Sequence, residues 1–171
     1  MADHLAVIVH GPTIDADRAR KRMANVAEAT PLHDPAFAGR YDADTTAAVY
    51  AELLRRAAVV LDSGRSVVLD ASFRDRRHRA SAFELARRFG VPFLFIKCRV
   101  DPAVCRRRLE QRATGPSVSD GRLEVLDAFI ASFQPVDELP ERNHLRLDTD
   151  QPLEEIVSQI RQRLSDTLLI S

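Results

Sequence analysis

Short apolar runs alternate with longer amphipathic stretches along the whole chain. The short runs have the length of strands and are rich in β-branched residues, whereas the longer stretches repeat apolar residues at the spacing of one helix face. The predicted strands lie at residues 5–9, 66–70, 92–98 and 144–149, with 13–15 as a further short candidate. The predicted helices lie at residues 15–27, 45–64, 74–90, 101–113, 122–133 and 152–164.

This alternation of strand and helix predicts an α/β fold. Near-continuous apolar strands are typical of a parallel sheet that is covered on both faces, which gives a three-layer αβα architecture with a mostly parallel sheet. The 171 residues fit one domain of ordinary size. In such sheets ligands bind beyond the carboxyl ends of the strands, so the residues that follow each strand are the candidates for chemistry.

Composition and charge add limited information about partners. The 25 Lys and Arg residues balance the 25 Asp and Glu residues, so an electrostatic argument has to be local. Two cysteines without a paired-ligand spacing indicate reduced thiols inside a cell. There is neither a charged leader followed by an apolar stretch nor an apolar run of membrane-spanning length. We therefore expect a cytoplasmic protein that does not bind a membrane.

The segment VVLDASF, residues 67–73, is the strongest local signal. A carboxylate at the carboxyl end of a buried strand, here Asp70, can hold Mg²⁺ beside bound phosphates. The alternative is that Asp70 caps a turn or the helix that follows.

Four arginines on the helix at 101–113 lead into the turn-rich segment TGPSVSDG at 114–121. Arg108 and Arg112 are four residues apart and share a helix face. A basic segment of this kind can act as a lid that closes over a nucleotide and stabilises charge on a transferred phosphoryl group. The alternative is a solvated face paired with acidic neighbours. Because no aromatic residues are interleaved with these arginines, we do not expect nucleic-acid binding.

The charged stretch DADRARKR at 15–22 follows the short strand candidate. Asp17 could act as a base or orient a substrate hydroxyl, with Arg20 and Lys21 as anion contacts. The alternative is an ordinary charged first turn of a surface helix, with Asp15 or Asp17 as the N-cap.

The order of these motifs carries more information than any one of them. DADRARKRM, then VVLDASF, then FIKCRVDPAVCRRRLEQR, then SVSD and DTDQPLEEI together resemble a family of small P-loop kinase-like domains, known as AAA-type ATP-binding or kinase domains. Such domains occur alone and as the C-terminal half of bifunctional aminoglycoside-phosphotransferase/ATP-binding proteins. The resemblance covers nearly the whole chain, from about residue 15 to residue 164.

The resemblance implies binding of ATP and Mg²⁺, a small-molecule substrate, and roles at matching positions. It implies catalytic roles for Asp17, Arg79 and Arg112, a metal-binding role for Asp70, a substrate contact for Arg20, and cofactor contacts for Gly11, Arg108, Asp148 and Pro152.

The chain departs from this family where the phosphate-binding loop is expected. A strand such as LAVIVHG leads, in the family, into a loop of the form G-x-x-x-x-G-K-[ST] and a helix, but here Gly11 is followed at once by PTIDADR. The Lys and the Ser or Thr of that loop would neutralise phosphate charge and hold Mg²⁺. Without the first crossover, the segments 5–10 and 13–15 cannot both be parallel strands, and one of them is expected to merge into the other or become a loop.

Two functions remain open. The first is the family activity, ATP-dependent phosphoryl transfer to a small-molecule hydroxyl. The second is a degenerate, catalytically inactive kinase-like domain that acts as a binding or interaction module.

Overall fold

The computed structural model describes residues 1–27, 38–113 and 123–168, with the side chains of Arg40, 112–113, 123–125 and 168 excepted. The helices are α1 Ala2–Ile8, α2 Ala16–Met23, α3 Ala43–Asp62, α4 Arg76–Phe89, α5 Pro102–Ala113, α6 Leu123–Ala131 and α7 Leu153–Leu168. The strands are β1 Thr13–Asp15, β2 Val68–Asp70, β3 Phe95–Arg99 and β4 His144–Asp148. Short 3₁₀ turns lie at Gly39–Tyr41 and Glu141–Asn143.

The described strands pair in parallel, which confirms the expected strand direction. β1 pairs with β2, so that Asp15 lies opposite Asp70. β3 pairs with β4, so that Lys97 lies opposite Arg146. Within the described residues these are two separate two-stranded sheets.

The chain divides into two compact units, each containing one strand pair. The first unit comprises Met1–Arg74 and Arg107–Phe133, and the second comprises Asp75–Arg106 and Gln134–Ser171. In the first unit Val49, Leu53 and Ala57 of α3 are buried, as the amphipathic pattern predicts. In the second unit the core includes Leu147 of β4 and Ile160 of α7, which are both fully buried.

The predicted strand at residues 5–9 is wrong, because this segment lies in and just after helix α1. No residue of α1 is buried, and the helix packs against β1 and β2. Parallel pairing of two consecutive strands needs a crossover of roughly a dozen residues, whereas only a short turn separates Ile8 from Thr13. The later segment takes the place beside β2, where the Pro12 carbonyl accepts a hydrogen bond from the Val68 N–H at 2.9 Å.

The helix predicted at residues 15–27 is observed at Ala16–Met23, and one of its faces is buried. Helix α2 buries Ala16, Ala19, Arg20 and Lys21, and Lys21 has no exposed surface. Long aliphatic stems allow Arg and Lys to pack as apolar groups while their charged ends find polar surroundings. The charge-rich pattern therefore does not show which residues of this helix are buried.

The helix ends follow their sequence signals. The Asp15 side chain accepts a hydrogen bond from the Arg18 N–H at 2.7 Å and caps α2, which is the capping alternative for this segment. Gly90 ends α4 with φ of 61°, a left-handed conformation that favours glycine. No helix in the described ranges is both long and apolar enough to cross a membrane.

Candidate functional site

The carboxyl ends of β1 and β2 place two carboxylates side by side. Asp15 and Asp70 are register partners on neighbouring parallel strands, and such strands lie about 4.8 Å apart. Asp15 is engaged with the backbone of α2, whereas Asp70 makes no hydrogen bond or ion pair within the described part of the chain. Two like-charged side chains are therefore neighbours at this edge of the strand pair.

This pairing changes the acidity of Asp70. Partial burial of the carboxyl group raises the pKa of Asp70, and the neighbouring Asp15 carboxylate raises it further, while the N-terminal amine opposes both effects. The residue as a whole is exposed, so water reaches one side of the carboxyl group. Paired carboxylate oxygens suit a hard cation such as Mg²⁺, although no group of three or more potential metal ligands lies within the described residues.

The turn after Asp70 is held in a strained conformation by a buried tyrosine. Phe73 has φ of 44°, which is costly for a bulky side chain, by roughly 1–3 kcal/mol. Its N–H donates to the Tyr50 hydroxyl at 2.8 Å, and the two rings meet edge to face with centroids 5.2 Å apart. The Ser72 hydroxyl lies 3.4 Å from the same oxygen, and burial raises the pKa of Tyr50. Sequence reasoning missed Tyr50, since in an amphipathic helix it reads as an ordinary core residue.

Asp17 and Arg20, the residues predicted to act on the substrate, contact each other on α2. Arg20 donates to the Asp17 carboxylate at 3.1 Å, and its guanidinium carbon lies 4.5 Å from the centroid of the Tyr41 ring. Arg20 is 7% exposed. Asp17 is thus oriented by a buried cation, while its role as a base and the substrate contact of Arg20 stay predictions.

Gly11 lies where the phosphate loop of the family is expected to begin, but it faces backbone. A Cβ at this position would meet the Ser66 carbonyl oxygen and would lie 2.6 Å from the Ser66 carbonyl carbon. The Gly11 N–H donates to the Ala6 carbonyl at 3.0 Å. Glycine is required here for close packing. This close packing against Ser66 does not fit an open cradle of N–H groups around the triphosphate of ATP.

Arg79 of the second unit is fully buried. It forms an ion pair with Glu138 and also donates to the Pro135 carbonyl at 2.8 Å. Burial is the largest single influence and acts to raise the pKa of Glu138, but the hydrogen bond and charge of Arg79 together with backbone hydrogen bonds lower the pKa overall. The structure thus places Arg79 in an internal ion pair, and its catalytic role stays a prediction. Glu138 was not anticipated from the sequence.

The other predicted residues are spread over both units. Asp148 is exposed at the end of β4 and accepts from the Asp150 N–H at 2.9 Å, and the Pro152 carbonyl accepts from the first turn of α7. Arg108 is exposed on α5. The Arg112 side chain and the predicted lid at 114–121 lie outside the described residues. Among the predicted residues, Asp17 and Arg20 are in direct contact with each other.

Known proteins resemble the chain in both sequence and structure. Residues 4–136 match the AAA domain family AAA_33. The uncharacterized protein Rv2004c of Mycobacterium tuberculosis is 31% identical over 159 residues, which cover 93% of this chain and 30% of that protein. The chain thus spans about a third of the length of this relative.

Two solved kinase structures share the fold. A gluconokinase from Sinorhizobium meliloti 1021 aligns over 96% of this chain and 83% of its own, with 22% identity and a TM-score of 0.64. The Mycobacterium tuberculosis APS kinase, solved with AMPPNP and APS, aligns over 90% of this chain and 79% of its own, with 18% identity and a TM-score of 0.56. These likenesses confirm the three-layer αβα class and the P-loop kinase-like fold expected from the sequence.

Proposed function

Because this chain belongs to the AAA domain family and has a P-loop kinase-like fold, we propose that it is a catalytically inactive kinase-like domain that acts as a binding or interaction module. The observation that carries this proposal is the packing of Gly11 against the Ser66 backbone. This packing supports the proposal, because the phosphate-binding loop of the family is expected to begin at Gly11.

The missing contacts are the ones that hold the phosphates of a nucleotide. Backbone N–H groups at a helix N-terminus and a loop lysine bind these phosphates in P-loop proteins. Each charge-assisted hydrogen bond contributes roughly 1.5–3 kcal/mol, so the loss of several weakens binding by several powers of ten. Lys21 does not replace the loop lysine, since it is fully buried within α2.

The second candidate is the family activity, ATP-dependent phosphoryl transfer to a small-molecule hydroxyl. The carboxylate pair of Asp15 and Asp70 favours it, because these oxygens remain where Mg²⁺ would be held. Asp17 would then act as the base, with Arg108 and Arg112 as lid residues. This candidate requires phosphate contacts supplied from outside the residues present here.

The experiment that separates the two candidates combines an activity assay with a binding assay. ATP turnover and the melting temperature in Mg²⁺–ATP are measured for the native chain, for Asp70→Asn, and for the control Asp62→Asn. Asp62 is an exposed carboxylate in the first unit with no polar contact in the described residues. We expect no turnover and no stabilisation that depends on Asp70. Turnover, or a stabilisation that requires both Mg²⁺ and Asp70, would establish the second candidate instead.

A further inference from the structure

The strand pair of the second unit begins with a histidine. His144 is the first residue of β4 and the register partner of Phe95, the first residue of β3. The centroids of the two rings lie 5.6 Å apart. The histidine is half-buried, and its Nε2 is buried without a hydrogen-bond partner among the residues that the structure describes. The protonation state of this ring therefore affects how well it packs at the start of the strand pair.

Burial of Nε2 favours the neutral form of the His144 ring. A neutral imidazole can carry its proton on Nδ1 and leave Nε2 unprotonated, whereas the imidazolium ion has an N–H at both positions. Protonation would therefore place a charged N–H at the buried Nε2, where no acceptor is in place. Burying a charged group without a partner costs free energy. The packed strand pair thus disfavours the charged ring.

Most of the charged groups around His144 act in the same direction. Arg146 lies two residues further along β4, Lys97 lies on β3 and Arg79 lies on α4. Partial burial is the largest influence and lowers the pKa of His144 below 6.5. The three cations lower the pKa of the ring further, while the Glu138 carboxylate opposes them. The electrostatic surroundings therefore reinforce the effect of burial.

The other elements beside β4 supply further charged groups but no acceptor for Nε2 within the described ranges. From α7, the Arg163 guanidinium donates to the Glu141 carbonyl at 2.7 Å and to the His144 carbonyl at 3.4 Å. Arginine has donors only, so Arg163 cannot accept a proton from the ring. The 3₁₀ turn before β4 adds the charges of Glu141 and Arg142, and both residues are exposed.

Hydrogen bonds fix the backbone on both sides of the ring. The buried Asn143 side chain donates to the Phe93 carbonyl at 2.6 Å, just before β3. Arg163 ties α7 to the turn before β4 and to the first residue of the strand. Releasing the His144 ring into water requires these contacts to break, so the opening is a defined local step.

We propose that His144 is a pH-sensitive switch for the pairing of β3 with β4, in which the neutral ring keeps the start of the strand pair closed and its protonation favours an open state. Above pH 6.5, the ordinary pKa of histidine, the ring is neutral in both states and does not shift the balance between them. As the pH falls below 6.5, the open state binds a proton more readily than the closed state, so opening becomes more favourable. This switch uses neither Asp70 nor the turn at Gly11, so it stands independently of the proposed function.

Two NMR measurements on the whole chain test the switch. The first follows the histidine ring signals from about pH 8 to about pH 5, and His144→Gln assigns the His144 signal among the five histidines. The second measures amide hydrogen exchange of β4 over the same range, corrected for the intrinsic exchange rate, and gives the opening equilibrium. The amides of β1 and β2 in the first unit serve as the internal reference. His144→Phe keeps a ring beside Phe95 and is measured in parallel in case glutamine disturbs the packing.

We expect the His144 ring to titrate with a midpoint below 6.5 and the opening of β4 to increase in acid. Once the pH is below both midpoints, the increase should be about tenfold for each pH unit that separates the closed ring from a free one. His144→Gln and His144→Phe abolish the increase. The control His78→Gln removes the other histidine of the second unit and retains it.

Four results would overturn the proposal. They are a His144 midpoint at or above 6.5, exchange of β4 that does not respond to acid, a response that survives both substitutions of His144, and a response that is lost in His78→Gln.

Discussion

Each of the two strand pairs of this molecule places like charges opposite each other, negative in one pair and positive in the other. In the first unit β1 and β2 end with Asp15 opposite Asp70, and in the second unit β3 and β4 place Lys97 opposite Arg146. Both arrangements set like charges side by side, which costs stability. The first pair brings two negative charges together, and the second brings two positive charges together.

The two units also differ in the interactions of their buried polar side chains. In the first unit Tyr50 holds the backbone of Phe73 in a left-handed conformation just after Asp70. In the second unit a buried ion pair, Arg79 with Glu138, ties α4 to the segment that precedes β4. The first unit therefore depends on close backbone packing near its strand ends, and the second depends on an internal charge pair.

Breaking the internal ion pair should have the largest effect. Glu138→Gln leaves the Arg79 guanidinium buried without its counter-charge, so we expect the free energy of unfolding to fall by about 3 kcal/mol. Urea titration followed by far-UV circular dichroism measures the change. The control Arg87→Gln removes the exposed pair with Glu84 and should cost no more than about 0.5 kcal/mol. Equal losses in the two variants would contradict the structural role of Arg79.

Adding one methyl group at Gly11 tests the packing in the first unit. Gly11→Ala drives a Cβ into the Ser66 backbone and should lower the free energy of unfolding by about 2–3 kcal/mol, without any ligand present. Gly64→Ala serves as the comparison. Gly64 has open space but φ of 74°, which predicts a smaller loss of about 1 kcal/mol. If Gly11→Ala were neutral, the turn would have room for a ligand after all.

Removing the Tyr50 hydroxyl measures how much its hydrogen bond stabilises the turn after Asp70. Tyr50→Phe leaves the buried Phe73 N–H without its acceptor, which should cost about 1–2 kcal/mol in urea titration. Ser72→Ala removes only the long 3.4 Å contact with the same hydroxyl and should cost less than about 0.5 kcal/mol. A neutral Tyr50→Phe would mean that Phe73 keeps its conformation without this hydrogen bond.

The smallest effect concerns the carboxylate pair and depends on pH. The folded state raises the pKa of Asp70 above 3.8, so the folded protein binds more protons than the unfolded chain between these two pKa values. Stability from this group therefore falls as pH rises through that window. At neutral pH, Asp70→Asn should stabilise the first unit by about 0.2–1 kcal/mol, and the gain should disappear below pH 3.8.

Measuring the free energy of unfolding at several pH values tests this expectation. The control Asp62→Asn should leave the pH dependence unchanged. Destabilisation by Asp70→Asn at neutral pH would show that Asp70 has a favourable partner rather than a like-charged neighbour.

Most helices and the strand direction could be predicted from the sequence because their signals are local. The helix predicted at 45–64 is observed at Ala43–Asp62, and the one predicted at 74–90 is observed at Arg76–Phe89. In both, an amphipathic repeat ends at a glycine. The segment at 5–9 has equally clear β-branched character, but whether it forms a strand depends on which segment occupies the edge of β2, and that is a long-range competition.

The candidate site was predictable only in part, because several of its contacts join residues that are far apart in the sequence. Asp70 could be placed at a strand end from its own apolar run. That Asp15 lies opposite it, and that Arg146 lies opposite Lys97, depends on strand register, which neither run specifies alone. Glu138 and Tyr50 act through partners 59 and 23 residues away, so no local pattern points to them.

Calorimetric titration of the chain with Mg²⁺–ATP tests the central claim most directly, because it measures nucleotide binding without requiring turnover. If the turn at Gly11 is closed by the chain itself, no saturable binding is expected, and adding Asp70→Asn changes nothing. Saturable binding that needs Mg²⁺ and is abolished by Asp70→Asn would show that the first unit holds a nucleotide, and would contradict the account.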